Sequence, residues 1–112
     1  MSKIIYDFLS KNKRLDAILF GTSRIGICGL LAINRLGLKV PDDLAIISYD
    51  DYEVFQLHSP LVSAIAQPIE GIADHVITLL LNRLNGKLKA DEKQTITIST
   101  VLNIRDSSTK KL

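Results

Sequence analysis

The sequence has no tryptophan, one cysteine, three tyrosines and three phenylalanines among its 112 residues. The single cysteine, Cys28, excludes an intrachain disulfide and is typical of a protein in a reducing compartment. So few aromatic rings leave little surface on which nucleic-acid bases could stack. No uncharged apolar run reaches the ~20 residues that a transmembrane helix needs, and the N-terminus lacks the pattern of a signal peptide. We therefore expect a globular, cytoplasmic chain that does not enter a membrane.

Charge is spread evenly along the chain. There are 14 basic and 12 acidic residues, which gives a net charge of +2, and basic residues cluster only at 11–14 and 110–111. A nucleic-acid-binding domain usually carries a basic stripe or patch, so we expect that this segment does not contact DNA itself. The length predicts one domain at most, and 46% apolar residues with 23% charged residues exclude wholesale disorder.

The first half of the chain has the pattern of a strand, a helix and a second strand. Apolar residues at 16–20 predict a short buried strand, and those at 44–49 predict another with no charge inside it. Between them lies a helix for which Ser23 is the expected N-cap and Gly37 the expected left-handed C-cap. Two strands joined by a crossover helix form a right-handed βαβ unit, so the sequence predicts an α/β fold with a parallel sheet.

The second half predicts a third strand, the clearest helix of the chain and two terminal strand segments. The strand is expected at 61–67 and the helix at 69–84, followed by strands at 94–100 and 101–105 and a frayed polar tail from Asp106. The helix has more apolar surface than a domain of this size would cover on its own. We expect it to pack between two layers, against a second chain, or against a domain that this chain lacks.

Polar side chains follow each of the three central strands. Thr22 and Ser23 follow the first, Asp50 and Asp51 follow the second, and Gln67 ends the third. In an open α/β sheet, ligands bind outside the carboxyl ends of the strands. Hydroxyl, carboxylate and amide groups suit a neutral ligand rich in hydroxyls. The alternative is that these residues only cap helices and make turns, which is weakest for Asp50 because it follows its strand directly.

The adjacent carboxylates Asp50 and Asp51 leave an enzymatic alternative open. Paired acids at a strand end also hold Mg²⁺ in phosphoryl-transfer and receiver-like domains. The usual companions are missing, because there is no glycine-rich phosphate loop with a lysine. The histidines, His58 and His75, are far apart and have no acid or cysteine beside them in the sequence. We therefore expect no catalytic residue, no metal site and no cofactor.

A longer pattern resembles a known family. The segment from Gly37 to Asp51 reads GLKVPDDLAIISYDD, and resembles the signature GL-x-VP-x-D-x-x-(apolar)-G-(F/Y)-D of the lactose/galactose-repressor family. Further fragments occur in the family's order between about Asp16 and Arg105, namely DAILF, AINRLGL, SPLVSAIAQP, LLLNRLNG and TVLNIRDSS. Each fragment is weak alone, but the ordered set is specific.

The resemblance implies a ligand cleft with particular contacts. The acid of the G-(F/Y)-D motif, which contacts the effector, maps to Asp50. Thr22 and Ser23 map to polar residues that line the same cleft, and Gln67 maps to the glutamine at the crossover between subdomains. The sequence departs from the family twice: Thr22-Ser23 replaces the usual Asn-Asp, and Ser48 replaces the glycine of the motif. The first departure removes a carboxylate from the cleft.

The resemblance also implies an architecture larger than this chain. It implies a periplasmic-binding-protein-like type I subdomain with three α/β/α layers, of which residues 1–112 are the C-terminal portion. The DNA-binding headpiece and the N-terminal subdomain are absent, so DNA would be contacted only through the missing headpiece. The helix at 69–84 and the segment 94–100 would cross into the absent subdomain and line the interface of a homodimer.

The sequence thus predicts an effector-sensing module of a transcriptional regulator, with a carbohydrate or related small molecule as its effector. The first alternative is a fragment of a periplasmic sugar-binding transport protein, which has the same cleft and no DNA partner. The second is the Mg²⁺-dependent domain built on Asp50 and Asp51.

Overall fold

The structure is a computed structural model that describes residues 1–109. Its elements in chain order are α1 (Ser2–Lys11), β1 (Ala17–Phe20), α2 (Ser23–Leu36), β2 (Ala45–Tyr49), α3 (Glu53–Leu57), β3 (Ser63–Ala66), α4 (Ile69–Leu84), β4 (Val101–Asn103) and a 3-10 helix (Asp106–Ser108). The strands form one sheet in the order β1-β2-β3-β4, and β2 pairs in parallel with both β1 and β3. This confirms an α/β fold with a mostly parallel sheet.

The chain divides into two compact units. The first comprises Met1–Ala66 and the chain from Leu102 on, and the second comprises Gln67–Val101. All ten buried hydrophobic residues of the described chain belong to the first unit. They are Leu9, Phe20, Leu30, Ala32, Ile33, Leu44, Ile46, Phe55, Val62 and Ala64. Each unit is therefore described separately.

Helix α2 begins and ends close to the predicted positions, with one change at its N-terminus. Thr22 is the N-cap, and its Oγ1 accepts a hydrogen bond from the backbone N–H of Ile25 at 3.3 Å, so the prediction of Ser23 as the cap is wrong by one residue. Thr22 has the extended backbone that a cap needs, whereas Ser23 is already helical. Gly37 ends the helix with φ +66°, which confirms the left-handed C-cap.

Two glycines allow α2 to lie close to the sheet. A Cβ at Gly29 would be 2.2 Å from the ring of Phe20, and one at Gly26 would be 2.6 Å from Oγ of Ser48. Any larger side chain at these positions would push the helix away from the strands. The close packing also accommodates Ser48, because its hydroxyl occupies space that Gly26 leaves open.

One face of the sheet of the first unit is buried more completely than the other within the described chain. Phe20, Ile46 and Ala64 share a face and are at most 2% exposed. Leu19 points to the opposite face, because successive strand residues alternate, and it is 59% exposed. Parallel sheets are normally buried on both faces.

The second unit contains the longest helix and no hydrophobic core. Helix α4 has the predicted bounds, yet none of its 16 residues is buried. Seven of its large apolar side chains are between 40% and 73% exposed, namely Ile69, Ile72, Val76, Ile77, Leu80, Leu81 and Leu84. The predicted strand at 94–100 is absent, since these residues have no regular secondary structure. Alternation favours an extended chain, but a strand also needs a neighbouring strand to pair with.

The C-terminal segment is ordered through Thr109, so the prediction of fraying from Asp106 is wrong for the described residues. The predicted strand 101–105 is shorter, and ends at Asn103. A 3-10 helix follows, in which Ser107 is fully buried. The tail is held because its side chains bond to the first unit, as described below.

Candidate functional site

The polar residues after β1 and β2 leave the sheet at the same edge. Phe20 pairs with Ser48, so Thr22 and Asp50 each lie two residues beyond a paired position. Neighbouring strands are about 4.8 Å apart, and this register therefore brings the two chain segments side by side. Both segments are at the carboxyl ends of parallel strands, where ligands bind in open α/β sheets.

The hydroxyl of Thr22 has a local role and further hydrogen-bonding capacity. Its oxygen accepts the α2 capping bond from Ile25, while a threonine hydroxyl also has one hydrogen to donate. Thr22 is exposed and Ser23 is half-buried. These side chains stand at the N-terminus of α2, where the helix dipole favours an acceptor-rich or negative group.

Asp50 has an unusual backbone conformation. Its φ is +66°, and it is the one non-glycine residue with positive φ among residues 1–109. Aspartate tolerates this region better than most residues, but such conformations still cost about 1–3 kcal/mol and persist where surrounding structure enforces them. The residue with this conformation is also the one whose position in the sequence most strongly predicted a ligand contact.

Asp51 accepts hydrogen bonds from two side chains of the C-terminal segment. Both Nη atoms of Arg105 donate to its carboxylate, Nη1 to Oδ1 at 2.8 Å and Nη2 to Oδ2 at 2.6 Å. Asn103 Nδ2 donates to Oδ2 at 2.8 Å. The side chains of Asp51 and Arg105 are only 9% and 15% exposed, so this bidentate pair is well shielded from water. We call these three residues the Asp51 clamp.

The clamp shifts the ionisation of both charged members. The hydrogen bond from Arg105 is the largest reason that the pKa of Asp51 is lowered from its ordinary 3.8, with Asn103 adding to it and burial opposing it. The hydrogen bond to Asp51 raises the pKa of Arg105 in turn. The pair is thus fully ionised near neutral pH.

Arg105 and Ser107 also attach the C-terminal segment to the sheet. Arg105 Nη1 donates to the carbonyl of Val62 at 2.7 Å. Ser107 Oγ donates to the carbonyl of Ile46 at 2.7 Å and accepts from the backbone N–H of Ser63 at 2.8 Å. A single buried hydroxyl therefore bridges β2 and β3 where β3 begins.

Sequence reasoning missed these roles. It favoured a turn or cap role for Asp51, placed Arg105 at the end of a strand and expected the tail from Asp106 to be frayed. The partners are separated by 43 to 61 residues in the sequence, so no local periodicity could reveal the pairing. The one available signal was the ending TVLNIRDSS, which resembles the closing motif of the family.

Gln67 and His58 lie just after β3 and α3, respectively. Gln67 follows β3 directly and is the first residue of the second unit. His58 ends α3, and its Nδ1 lies 2.8 Å from the carbonyl oxygen of Pro60, so it has a local partner in its own loop. The structure thus brings Thr22, Ser23 and Asp50 to one edge of the first unit.

A hollow of about 650 Å³ lies at the other edge of the first unit. It is lined mainly by leucines from the ends of α1 and α2 and from the segments leading into β1 and β2, including Leu9, Leu15 and Leu44. Three of its polar side chains already bond to nearby backbone: Asn12 donates to the carbonyl of Phe8, Ser10 donates to that of Asp7, and Asp43 accepts from the N–H of Lys39. It therefore offers few polar groups for a ligand, and none of the predicted site residues lines it.

Residues 1–109 contain no group of three or more histidine, cysteine, aspartate or glutamate side chains that could hold a metal ion. Asp51, the second carboxylate of the pair, accepts hydrogen bonds from Arg105 and Asn103 instead. Within the same described part, no helix has the length and apolar character required to cross a membrane.

Parallel strand pairs with polar residues after their carboxyl ends define an α/β domain, and comparison with known proteins identifies its family. The chain belongs to the periplasmic binding protein-like domain family, whose model matches residues 3–108. It is similar to the HTH-type transcriptional repressor PurR of Serratia proteamaculans, with 30% identity over 105 residues. PurR of Yersinia enterocolitica gives the same identity over the same length.

Solved structures agree with this assignment. The transcriptional regulator CelR in complex with cellobiose has a TM-score of 0.87 and 25% identity over 96% of this chain. A LacI family transcriptional regulator from Arthrobacter sp. FB24, in complex with lactose, has a TM-score of 0.84 and 25% identity, also over 96% of this chain. The chain spans only 30% of the PurR sequences and 32% and 40% of these two structures.

Proposed function

We propose that this chain is the effector-sensing part of a LacI-family transcriptional regulator, and that its effector is a sugar or related small molecule. In this mechanism a ligand held between two subdomains changes their relative angle, and a dimer passes the change to a DNA-binding headpiece. Two similar regulators are described as complexes with cellobiose and with lactose. Those ligands belong to those proteins, and they indicate the chemical class to test here.

The observation that carries the proposal is the position of Asp50 and Thr22 at one carboxyl edge of a parallel sheet. We assign Asp50 as the main acceptor of ligand hydroxyls, with Thr22, Ser23 and Gln67 as accessory contacts. A carboxylate can accept hydrogen bonds from two neighbouring hydroxyls. Tyr52 is 57% exposed two residues after Asp50, and its ring offers an apolar surface of the kind on which a sugar face packs.

We also propose that residues 1–112 are the C-terminal portion of a longer effector-binding domain. One face of the sheet is open at Leu19, and α4 has no buried residue. Both surfaces need covering, because exposed apolar patches of this extent are rare on soluble monomers. An N-terminal subdomain and a headpiece would supply the cover and the DNA contact.

The test of this arrangement is to sequence the source DNA upstream of the Met1 codon and follow the reading frame. An in-frame extension encoding a helix-turn-helix and a further α/β subdomain is expected, and would support a cytoplasmic regulator. An extension that begins with a secretory signal would replace the proposal with a periplasmic sugar-binding transport protein. A stop codon just upstream would refute the fragment assignment.

The exposed face of α4 is proposed to form a homodimer interface. We expect the isolated chain to self-associate at high concentration, measured by light scattering coupled to size exclusion. Replacing Val76 and Leu80 by lysine should give a monomer, because both side chains are more than half exposed on this helix. Ile4 and Phe8 form a second exposed apolar pair on α1, and their replacement by lysine is the matched control.

Two outcomes would contradict this interface. A strictly monomeric wild-type chain would remove the dimer proposal for α4. Dissociation by the α1 change and not by the α4 change would move the interface to the other helix.

A further inference from the structure

The leucine-lined hollow lies at the edge of the first unit opposite the proposed ligand site. Its volume of about 650 Å³ is within the ~300–1,000 Å³ range of binding pockets in proteins. Leu9 and Leu44 belong to the hydrophobic core, whereas Leu15, Leu36 and Leu38 are half-buried and keep apolar surface in contact with solvent. The hollow therefore offers apolar contacts that the first unit leaves unused.

The two walls of the hollow are fixed by hydrogen bonds of their own. On one side, the N–H of Leu15 donates to the carbonyl of Asn12 at 3.2 Å, and the side chain of Asn12 donates to the carbonyl of Phe8 at 2.7 Å. On the other side, the N–H of Asp43 donates to the carbonyl of Lys39 at 2.8 Å, and the Asp43 carboxylate accepts from the N–H of Lys39 at 2.8 Å. A surface whose backbone is already ordered loses little conformational entropy when a partner binds.

The wall formed by residues 9–15 is basic. Lys11, Lys13 and Arg14 are exposed, and this stretch contains no acidic residue. Lys11 is in the last turn of α1, where a cation also complements the helix dipole. Lys13 and Arg14 lie beyond the helix, at the two central positions of the Asn12–Leu15 turn, so the helix dipole does not account for them.

The opposite wall carries charges of both signs. It contains Lys39, Asp42 and Asp43, and the Asp43 carboxylate already accepts a hydrogen bond. Few polar groups are left to orient a small molecule, since Ser10 and Asn12 also bond to the backbone. An apolar hollow with positive charge along one side suits a chain segment that carries its own apolar and acidic side chains.

We propose that this hollow, with its basic wall, is a docking surface for an acidic amphipathic helix of a partner protein. Leucine-sized side chains one turn apart on that helix enter the hollow, and acidic side chains along one side of it face Lys13 and Arg14. Positive charge on one wall only fixes the orientation of the helix. The proposal is independent of the effector site, because Thr22, Ser23 and Asp50 do not line the hollow.

The probe for this surface is a synthetic amphipathic peptide of about five helical turns, with a stripe of leucines and glutamates along one side of the stripe. It is added to the ¹⁵N-labelled chain carrying Val76→Gln and Leu80→Gln, which makes the exposed face of α4 polar without adding charge. We expect saturable NMR shifts at the amides of Leu9, Leu15 and Leu44. Shifts that centre on the second unit, or no shifts at all, would overturn the proposal.

Two matched peptides separate the apolar contribution from the charged one. Replacing the leucines by serine should abolish binding, and replacing the glutamates by lysine should weaken it about tenfold or more. Raising the salt concentration from about 50 mM to about 500 mM should weaken binding of the glutamate peptide. Equal affinities of the glutamate and lysine peptides would refute the basic wall as a recognition element.

The charge reversal Lys13→Glu with Arg14→Glu tests the wall from the side of the protein. Both residues are exposed in a turn, so the fold should be retained. We expect the affinity for the glutamate peptide to fall about tenfold or more and that for the lysine peptide to rise. Lys87→Glu with Lys89→Glu is the matched control, because it makes the same change in net charge at exposed positions of the second unit. An equal loss of affinity in the control would show an effect of net charge alone and would overturn the proposal.

Discussion

The two units of this chain differ in how many of their apolar side chains they bury. The first buries ten hydrophobic residues, and in the described chain it leaves no buried side-chain nitrogen or oxygen without a hydrogen-bond partner. The second has a 16-residue helix with no buried residue at all. The first unit thus builds a hydrophobic core from its own residues, whereas the second presents an apolar helix surface.

The contrast follows from where each unit finds the partners for its apolar side chains. Short connections and a βαβ crossover complete the core of the first unit from its own residues. Helix α4 forms because its sequence favours a helix, but its apolar side chains gain little until another surface covers them. Mutations should therefore be costly in the first unit and mild in the second.

The largest effect is expected for Gly29→Ala. The new Cβ would be 2.2 Å from the ring of Phe20, which is only 2% exposed and cannot move into solvent. We expect a loss of about 3 kcal/mol or more in the free energy of unfolding, measured by urea denaturation. Gly21→Ala is the matched control, because nothing lies within 4 Å of its Cβ position. Equal stability of the two variants would mean that α2 does not need to approach β1 so closely.

Ser107→Ala should give the next largest effect. It leaves the carbonyl of Ile46 and the N–H of Ser63 without their buried partner. We expect a destabilisation of about 2 kcal/mol by the same measurement. Ser99→Ala, at an exposed position of the second unit, should change stability by less than about 0.5 kcal/mol. A Ser107 variant as stable as wild type would contradict the assigned bridge.

Acid should weaken the first unit through Asp51. Because the pKa of Asp51 is lowered from 3.8 in the folded chain, its stabilising contribution is fully present above pH 3.8 and is lost as pH falls through the folded value. The stability difference between wild type and Asp51→Asn should therefore shrink as urea titrations move from pH 6 toward pH 2. Asp42→Asn, at an exposed aspartate, is the control. A difference that stays constant with pH would show that the ion pair contributes nothing to this dependence.

The smallest effect, and one of opposite sign, is expected for Gly71→Ala in α4. Its Cβ would meet only ordinary contacts, the nearest being 3.8 Å from Ile98. Alanine is the better helix former, so stability should rise by about 0.5–1 kcal/mol, provided that unfolding of the second unit is followed by helical circular dichroism. A destabilisation comparable to that of Gly29→Ala would erase the proposed contrast between the units.

Local pattern predicted much of the fold. The C-terminal end of α2, the bounds of α4 and the left-handed Gly37 were expected and are present. Each depends on periodicity, capping or glycine chemistry within a few residues. The strand predicted at 94–100 is missing because a strand also needs a neighbour to pair with, and a local pattern contains no information about a distant neighbour.

The site was predictable in part. The edge that holds Thr22, Ser23 and Asp50 follows from strand order, and the register confirms that Thr22 and Asp50 lie beyond paired positions. The ion pair of Asp51 could not be predicted, because its partner Arg105 is 54 residues away in the sequence. The left-handed backbone of Asp50 could not be predicted from its residue type either, since aspartate is common in many turn conformations.

The most direct test of the account is an NMR titration of the ¹⁵N-labelled chain with a panel of neutral mono- and disaccharides. We predict that at least one sugar shifts the amides of Thr22, Ser23 and Asp50, and that Asp50→Gly abolishes the shifts. Glycine tolerates the positive φ of this position, so the variant removes the carboxylate without backbone strain, and affinity should fall by about 1–3 kcal/mol or more. Shifts that persist in Asp50→Gly, or that centre on the leucine-lined hollow at the other edge, would contradict the account, as would no response to any sugar of the panel.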